Sequence, residues 1–118
     1  MTGEVHEFDA RVGGRYRMSL TYATADHEVA GKTGEHTDTF RGTFVSLVPG
    51  ERVVEVIEFE TGDPGLAGPM TVTTTFVETD GTTEVTISHD HLPVGVRQED
   101  NELGTRQSLT KLRAYLER

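Results

Sequence analysis

The stretch that decides the fold is residues 97–117, RQEDNELGTRQSLTKLRAYLE. Thr105, Leu109, Leu112 and Leu116 recur at i, i+4, i+7 and i+11, which places them on one face of an α-helix. Gln98 and Glu102 continue that stripe toward the N-terminal end with polar side chains. Glu99 and Asp100 stand early and Arg113 and Arg118 late, so the charges complement the helix dipole. Gly104 costs about 1 kcal/mol relative to Ala inside a helix, which predicts either a close approach to another element or a bend.

Upstream of this helix the period changes from 3.6 to two. In Arg15 to Ala23, Tyr16, Met18, Leu20 and Tyr22 alternate with Arg15, Arg17, Ser19 and Thr21. That is the pattern of a half-buried strand. Val5 to Asp9, Thr37 to Val48, Val53 to Glu60, Met70 to Glu78 and Glu84 to His91 read as further strands. Phe40, Phe44 and Leu47 face inward on one of them. Val72, Thr74 and Phe76 share a face, as do Val85, Ile87 and His89. Gly13-Gly14, Pro49-Gly50 and Asp80-Gly81 mark turns, the last of the primed hairpin type. The alternation slips between Val56 and Ile57, which predicts a β-bulge there. Residues 24–36 read as an exposed hairpin loop, and residues 61–69 as a Gly/Pro-rich loop suited to a lid. The order predicts an α+β fold in one domain over residues 1–118: a curved antiparallel sheet of about six strands gripping one long C-terminal helix.

Composition narrows the function classes. The 118 residues are enough for one core, and there is no cysteine for a disulfide framework or a thiolate metal site. Cysteine-free sequence fits a reducing cytoplasm. No segment approaches the ~18 apolar residues of a membrane span, and the first residues do not read as a signal peptide. The formal charge of -9 argues against phosphate-directed nucleic-acid binding. The acidity lies upstream of the helix. Residues 1–96 hold 6 Lys/Arg and 16 Asp/Glu, against 5 and 4 in residues 97–118. That describes a solvated outer sheet face, or an acidic face that meets a basic partner.

The chemistry-bearing residues are few. His89 and His91 stand two apart, so on a strand they would share a face about 7 Å apart. A third metal ligand would have to come from His27, His36 or Asp38, and nothing in the sequence brings these together. Hydrogen-bonded or solvated histidines are the simpler reading, and no metal or cofactor is expected. Arg15, Arg17, Arg41 and Arg52 could orient a ligand carboxylate or pair with acidic neighbours across strands. Glu58 lies on a presumed outer face, away from an acid–base role. Gly31-Lys32-Thr33-Gly34 lacks the upstream glycine of a P-loop, and no hydrolase, zinc-protease or dinucleotide fingerprint is present.

Several segments resemble the START-like, SRPBCC-type helix-grip superfamily, and within it the group named after the activator of Hsp90 ATPase homologue 1. They are Phe8-Asp9-Ala10-Arg11-Val12-Gly13-Gly14-Arg15-Tyr16, Arg41-Gly42-Thr43-Phe44 leading to Pro49-Gly50-Glu51-Arg52-Val53-Val54, Thr83-Glu84-Val85-Thr86-Ile87, and Leu103-Gly104-Thr105 with Leu109, Leu112 and Leu116. The resemblance implies a small apolar ligand held between sheet and helix. The expected lining is Val54, Val56, Phe59, Val72, Thr74, Phe76, Val85, Ile87, His89, Thr105, Leu109 and Leu112. It also implies two alternatives: a partner protein of the Hsp90 chaperone type, or a cyclase- or dehydratase-type enzyme in which His89 would serve as acid or base. Two departures from the family pattern matter. Relatives usually begin with another strand and two short helices, so the strand at 84–91 is expected to have a bare edge through which a homodimer could form. Relatives also commonly carry Trp where this chain has Thr105, which leaves volume beneath the helix.

Overall fold

The computed structural model describes residues 2–21 and 37–117. Six strands form one antiparallel, curved sheet in chain order: β1 Thr2–Phe8, β2 Arg15–Thr21, β3 Thr37–Val48, β4 Arg52–Phe59, β5 Met70–Thr79 and β6 Thr82–Asp90. The helix α1, Gln98–Leu116, follows. The class, the six strands and the single closing helix are those expected from the sequence. The hairpin loop read at 24–36, with His27 and His36, lies outside the described residues.

Register sorts the side chains into two faces. Met18 opposes Phe40, which opposes Phe59; Phe44 opposes Glu55, Glu55 opposes Val72, and Val72 opposes His89. Opposed residues share a face. One face is therefore apolar, carrying Phe8, Tyr16, Phe40, Phe44, Ile57, Met70, Val72, Phe76 and Ile87. The other carries Arg15, Arg17, Arg41, Glu58 and a ladder of threonines.

Tyr16 centres the apolar face at the β1–β3 end. Its ring lies 5.2 Å from Phe44 and 6.4 Å from both Phe8 and Phe40, centre to centre. It crosses Gly42, its partner on β3, where any Cβ would run into the ring. The hydroxyl thereby reaches β4 and donates to Glu55 Oε1 at 2.8 Å. Burial, reinforced by the Glu55 carboxylate, pushes the Tyr16 pKa well above its ordinary value of 10.0.

The expected bulge is on a different strand. β4 pairs with β5 without interruption from Arg52 to Ile57, and the shift lies in β3 between Phe44 and Ser46, at Val45. The apolar slip at Val56 and Ile57 has another cause: β4 is half-buried on both faces, so apolar residues are tolerated at successive positions.

The helix is sparsely packed. It has no fully buried residue and no extended packing against any strand among the described residues. Asn101, Thr105 and Leu109 form one partly covered stripe. Leu112 and Leu116, on the expected inner stripe, are 41% and 68% exposed. The chain reaches α1 through a crossing of two loops. Gly95 donates its N–H to Gly65 O at 2.5 Å, and Gly65 in turn donates to Asp63 Oδ1 at 2.8 Å. A Cβ on Gly95 would meet the Gly65 carbonyl, so this crossing needs glycine. The segment 61–69 is thus tied to the start of the helix.

Candidate binding surface

The register places the expected lining residues in two groups. Phe59, Val72, Thr74, Phe76, Val85, Ile87 and His89 lie together on the apolar face. Val54 and Val56 do not; they oppose Thr73 and Thr71 on the other face. The reason is the period of two, which separates them from Val53, Glu55 and Ile57. Thr105 and Leu109 belong to the covered stripe of α1, and Leu112 stands nearer solvent.

The aromatic wall of Phe8, Tyr16, Phe40 and Phe44 adjoins these residues on the same face and enlarges the surface toward β1. The alternation in β2 and the inward reading of Phe40 and Phe44 already pointed to it. Phe8 was harder to find, because it ends an edge strand and remains 61% exposed.

Two polar groups interrupt the apolar face in one cross-strand row. Glu55 and His89 flank Val72, one on each side. Two strand spacings separate them by about 10 Å. His89 is half-buried, and desolvation lowers its pKa below the ordinary 6.5, with Asp90 opposing the shift. Glu55 is the functional-looking residue that the sequence reading missed. Its signal was a lone carboxylate at an inward position of β4.

The paired histidines do not form a strand-borne metal motif. β6 ends at Asp90, and His91 turns into the left-handed region with φ of 63°. This bend ends the two-residue period that would have put His91 beside His89. Among the described residues no three His, Asp or Glu side chains come together as a metal-binding group.

The arginines occupy the opposite face. Arg15, Arg17 and Arg41 line an open depression of about 330 Å³ with Glu7, Thr43, Val56 and Glu58. Arg17 and Arg41 are direct cross-strand partners, a repulsive arrangement by itself. Acidic neighbours relieve it: Arg17 donates to Glu60 at 2.6 Å and Arg41 to Glu58 at 3.1 Å. The hydrogen bond from Arg17 holds the Glu60 carboxyl below its usual range. These pairs stitch β2, β3 and β4 together on the outer face. They do not reach the apolar face. Arg52 is exposed at the start of β4.

Residues 1–117 match the family described as Activator of Hsp90 ATPase homolog 1-like protein. The chain belongs to that family. Its fold is also that of the crystal structure of protein CV1439 from Chromobacterium violaceum, with a TM-score of 0.82 and 34% sequence identity. The alignment covers 98% of this chain and 73% of that one. No functionally curated protein matches. Within this Activator of Hsp90 ATPase homolog 1-like family the helix-grip arrangement supports a general binding role. No helix among the described residues is long and apolar enough to cross a membrane.

Proposed function

We propose that this chain is a binding protein that takes a small, mostly apolar ligand between the apolar sheet face and α1. The observation that carries the reading is that the apolar sheet face and the apolar stripe of α1 are both left partly uncovered. On the described strands only Tyr16, Phe44, Met70 and Val72 are buried apolar side chains, while Leu112 remains 41% exposed. Fully covering a Leu contributes roughly 1.5–3 kcal/mol. A ligand that bridges Phe76, Ile87, Leu109 and Leu112 therefore has a substantial apolar contribution available. Glu55 and His89 supply the few polar groups that fix orientation in such a site. They favour an elongated ligand with a hydrogen-bonding group at an end.

Native mass spectrometry of protein purified from its own host tests this. A reproducible extra mass is expected, and Ile87→Asp should abolish it. Absence of any retained mass, together with unmoved Val72, Ile87 and Leu109 resonances on titration with oleate and with a planar aromatic probe, would sink the reading.

The family description and the uneven acidity support a second reading, docking on an Hsp90-type chaperone through the acidic outer sheet. Capture by that chaperone that weakens steeply with salt is the expected result. Salt-independent capture, or none, would remove it.

A further inference from the structure

We propose that Ser19, His6 and Glu4 form a nucleophile, its base and the group that orients the base, on the outer face of the sheet. Through them the chain takes an acyl group from a small uncharged ester. The inference does not depend on the ligand reading, which concerns the opposite face.

A β-bulge builds the set. Glu4 opposes Ser19 and Ser19 opposes Thr39, so these three form one cross-strand row. The register of β1 against β2 then shifts. Val5 opposes Met18, Glu7 opposes Arg17, and His6 is the extra residue between them. In an unbroken ladder His6 would stand opposite Arg17, and Glu7 would join Tyr16 on the apolar face. The bulge keeps Phe8 with Tyr16 instead, and re-aims His6 toward the neighbouring row. His6 Nε2 lies 2.8 Å from Ser19 Oγ, and His6 Nδ1 lies 3.8 Å from Glu4 Oε1. The Ser19 hydroxyl is held from its other strand by Thr39 Oγ1, also at 2.8 Å.

Each role follows from these distances. The Glu4 carboxylate favours the imidazole proton on Nδ1, which leaves Nε2 to accept from the Ser19 hydroxyl. A hydroxyl bonded to a base that a third group orients is the signature of an activated serine. The 3.8 Å separation is too long for a hydrogen bond, and it shortens as the imidazole gains charge. The His6 side chain is 28% exposed and Ser19 is half-buried, so both are partly desolvated and still reachable from solvent.

The surroundings select the substrate. The charged groups about the imidazole are Glu4 and Glu7 on its own strand, Arg17 on β2, Arg41 on β3 and Glu60 after β4. Arg17 is paired with Glu60 and Arg41 with Glu58. The unpaired excess is acidic, which disfavours phosphate and carboxylate substrates and leaves an uncharged carbonyl. In the step, Ser19 Oγ bonds to that carbonyl carbon while its proton passes to Nε2. The carbon then releases the alcohol or phenol oxygen, which takes the proton back from Nε2. Water repeats the sequence on the acyl-serine and frees the acid. β2 pairs on both sides, so its amides are committed to the ladder and form no oxyanion hole. One such donor is worth about 100- to 1,000-fold in rate. Acylation should therefore outrun deacylation only as a slow burst.

p-Nitrophenyl acetate is the probe. One p-nitrophenolate per chain should appear as a burst, with the acetyl group mapped to Ser19 by peptide mass spectrometry. Ser19→Ala should abolish the burst. His6→Ala should slow acetylation of Ser19 about 100-fold, and added imidazole should restore part of it. Glu4→Gln should slow it too, and the 15N shifts of His6 should move from the Nδ1–H tautomer in the native protein to a mixture of tautomers. Circular dichroism verifies that each variant is folded. Acetyl groups on His6, a lysine or the amino terminus in place of Ser19 would overturn the proposal. So would full-rate acetylation of Ser19 in folded His6→Ala, or no burst from the folded native protein.

Discussion

The hydroxyl of Tyr16 passes over Gly42 and ends on Glu55, so one side chain ties β2 to β4 across β3. Tyr16→Phe leaves the half-buried carboxylate without that donor. The expected cost is about 1–2 kcal/mol by urea denaturation. Gly42→Ala drives a methyl group into the ring and should cost about 1–3 kcal/mol, typical of overpacking. The pH dependence has a definite sign. The folded state holds the Tyr16 proton above pH 10, where the unfolded chain releases it, so the contribution is complete below pH 10 and is lost as pH rises beyond it. Tyr16→Phe should lack that alkaline loss. His89 acts at the other end of the scale. Its folded pKa lies below 6.5, so the unfolded chain takes up the proton first, and stability should fall as pH drops through 6.5 and below. Replacing it as His89→Leu should flatten the acid limb of a pH–stability curve.

At the scale of elements, α1 is the least secured piece. Arg97 occupies its N-cap with no side-chain capping bond. Arg97→Asp supplies an acceptor for the first free N–H groups and should raise stability by about 1 kcal/mol, read as a higher thermal midpoint. Leu112→Asp distinguishes packing from ligand contact. If Leu112 serves a ligand, the unliganded protein should change by no more than about 0.5 kcal/mol, as for an open surface position, while retained mass disappears. The helix itself was legible in the sequence because Thr105, Leu109, Leu112 and Leu116 keep its period over three turns. How deeply that stripe is covered was not, since periodicity gives orientation and says nothing of what lies opposite. The strands were legible where one face is polar, as in β2. In β4, where both faces are half-buried, the apolar pattern was misread as a bulge at Val56, and Val54 and Val56 were assigned to the wrong face. The extra residue sits instead at Val45 on β3, whose sequence alternates without an obvious break. The carboxylate of Glu55 escaped notice because its partner is the hydroxyl of Tyr16, 39 positions away.

Across the whole molecule the two sheet faces divide the labour. The outer face is held by cross-strand ion pairs such as Arg17–Glu60 and Arg41–Glu58, which are exposed and contribute modestly. The other face carries the apolar area and leaves part of it available at the helix and along the row from Glu55 to His89. Because every described strand pairs with its neighbour in the chain, the sheet can assemble while it is being made. Each hairpin closes as soon as its second strand leaves the ribosome, with little loop entropy to overcome. The helix is synthesised after all six strands. A nascent chain therefore displays the six described strands, with their apolar face, before α1 has left the exit tunnel. That interval is when the protein is most exposed to capture by chaperones or by a neighbouring nascent copy, and a slow codon run between Asp90 and Gln98 would lengthen it.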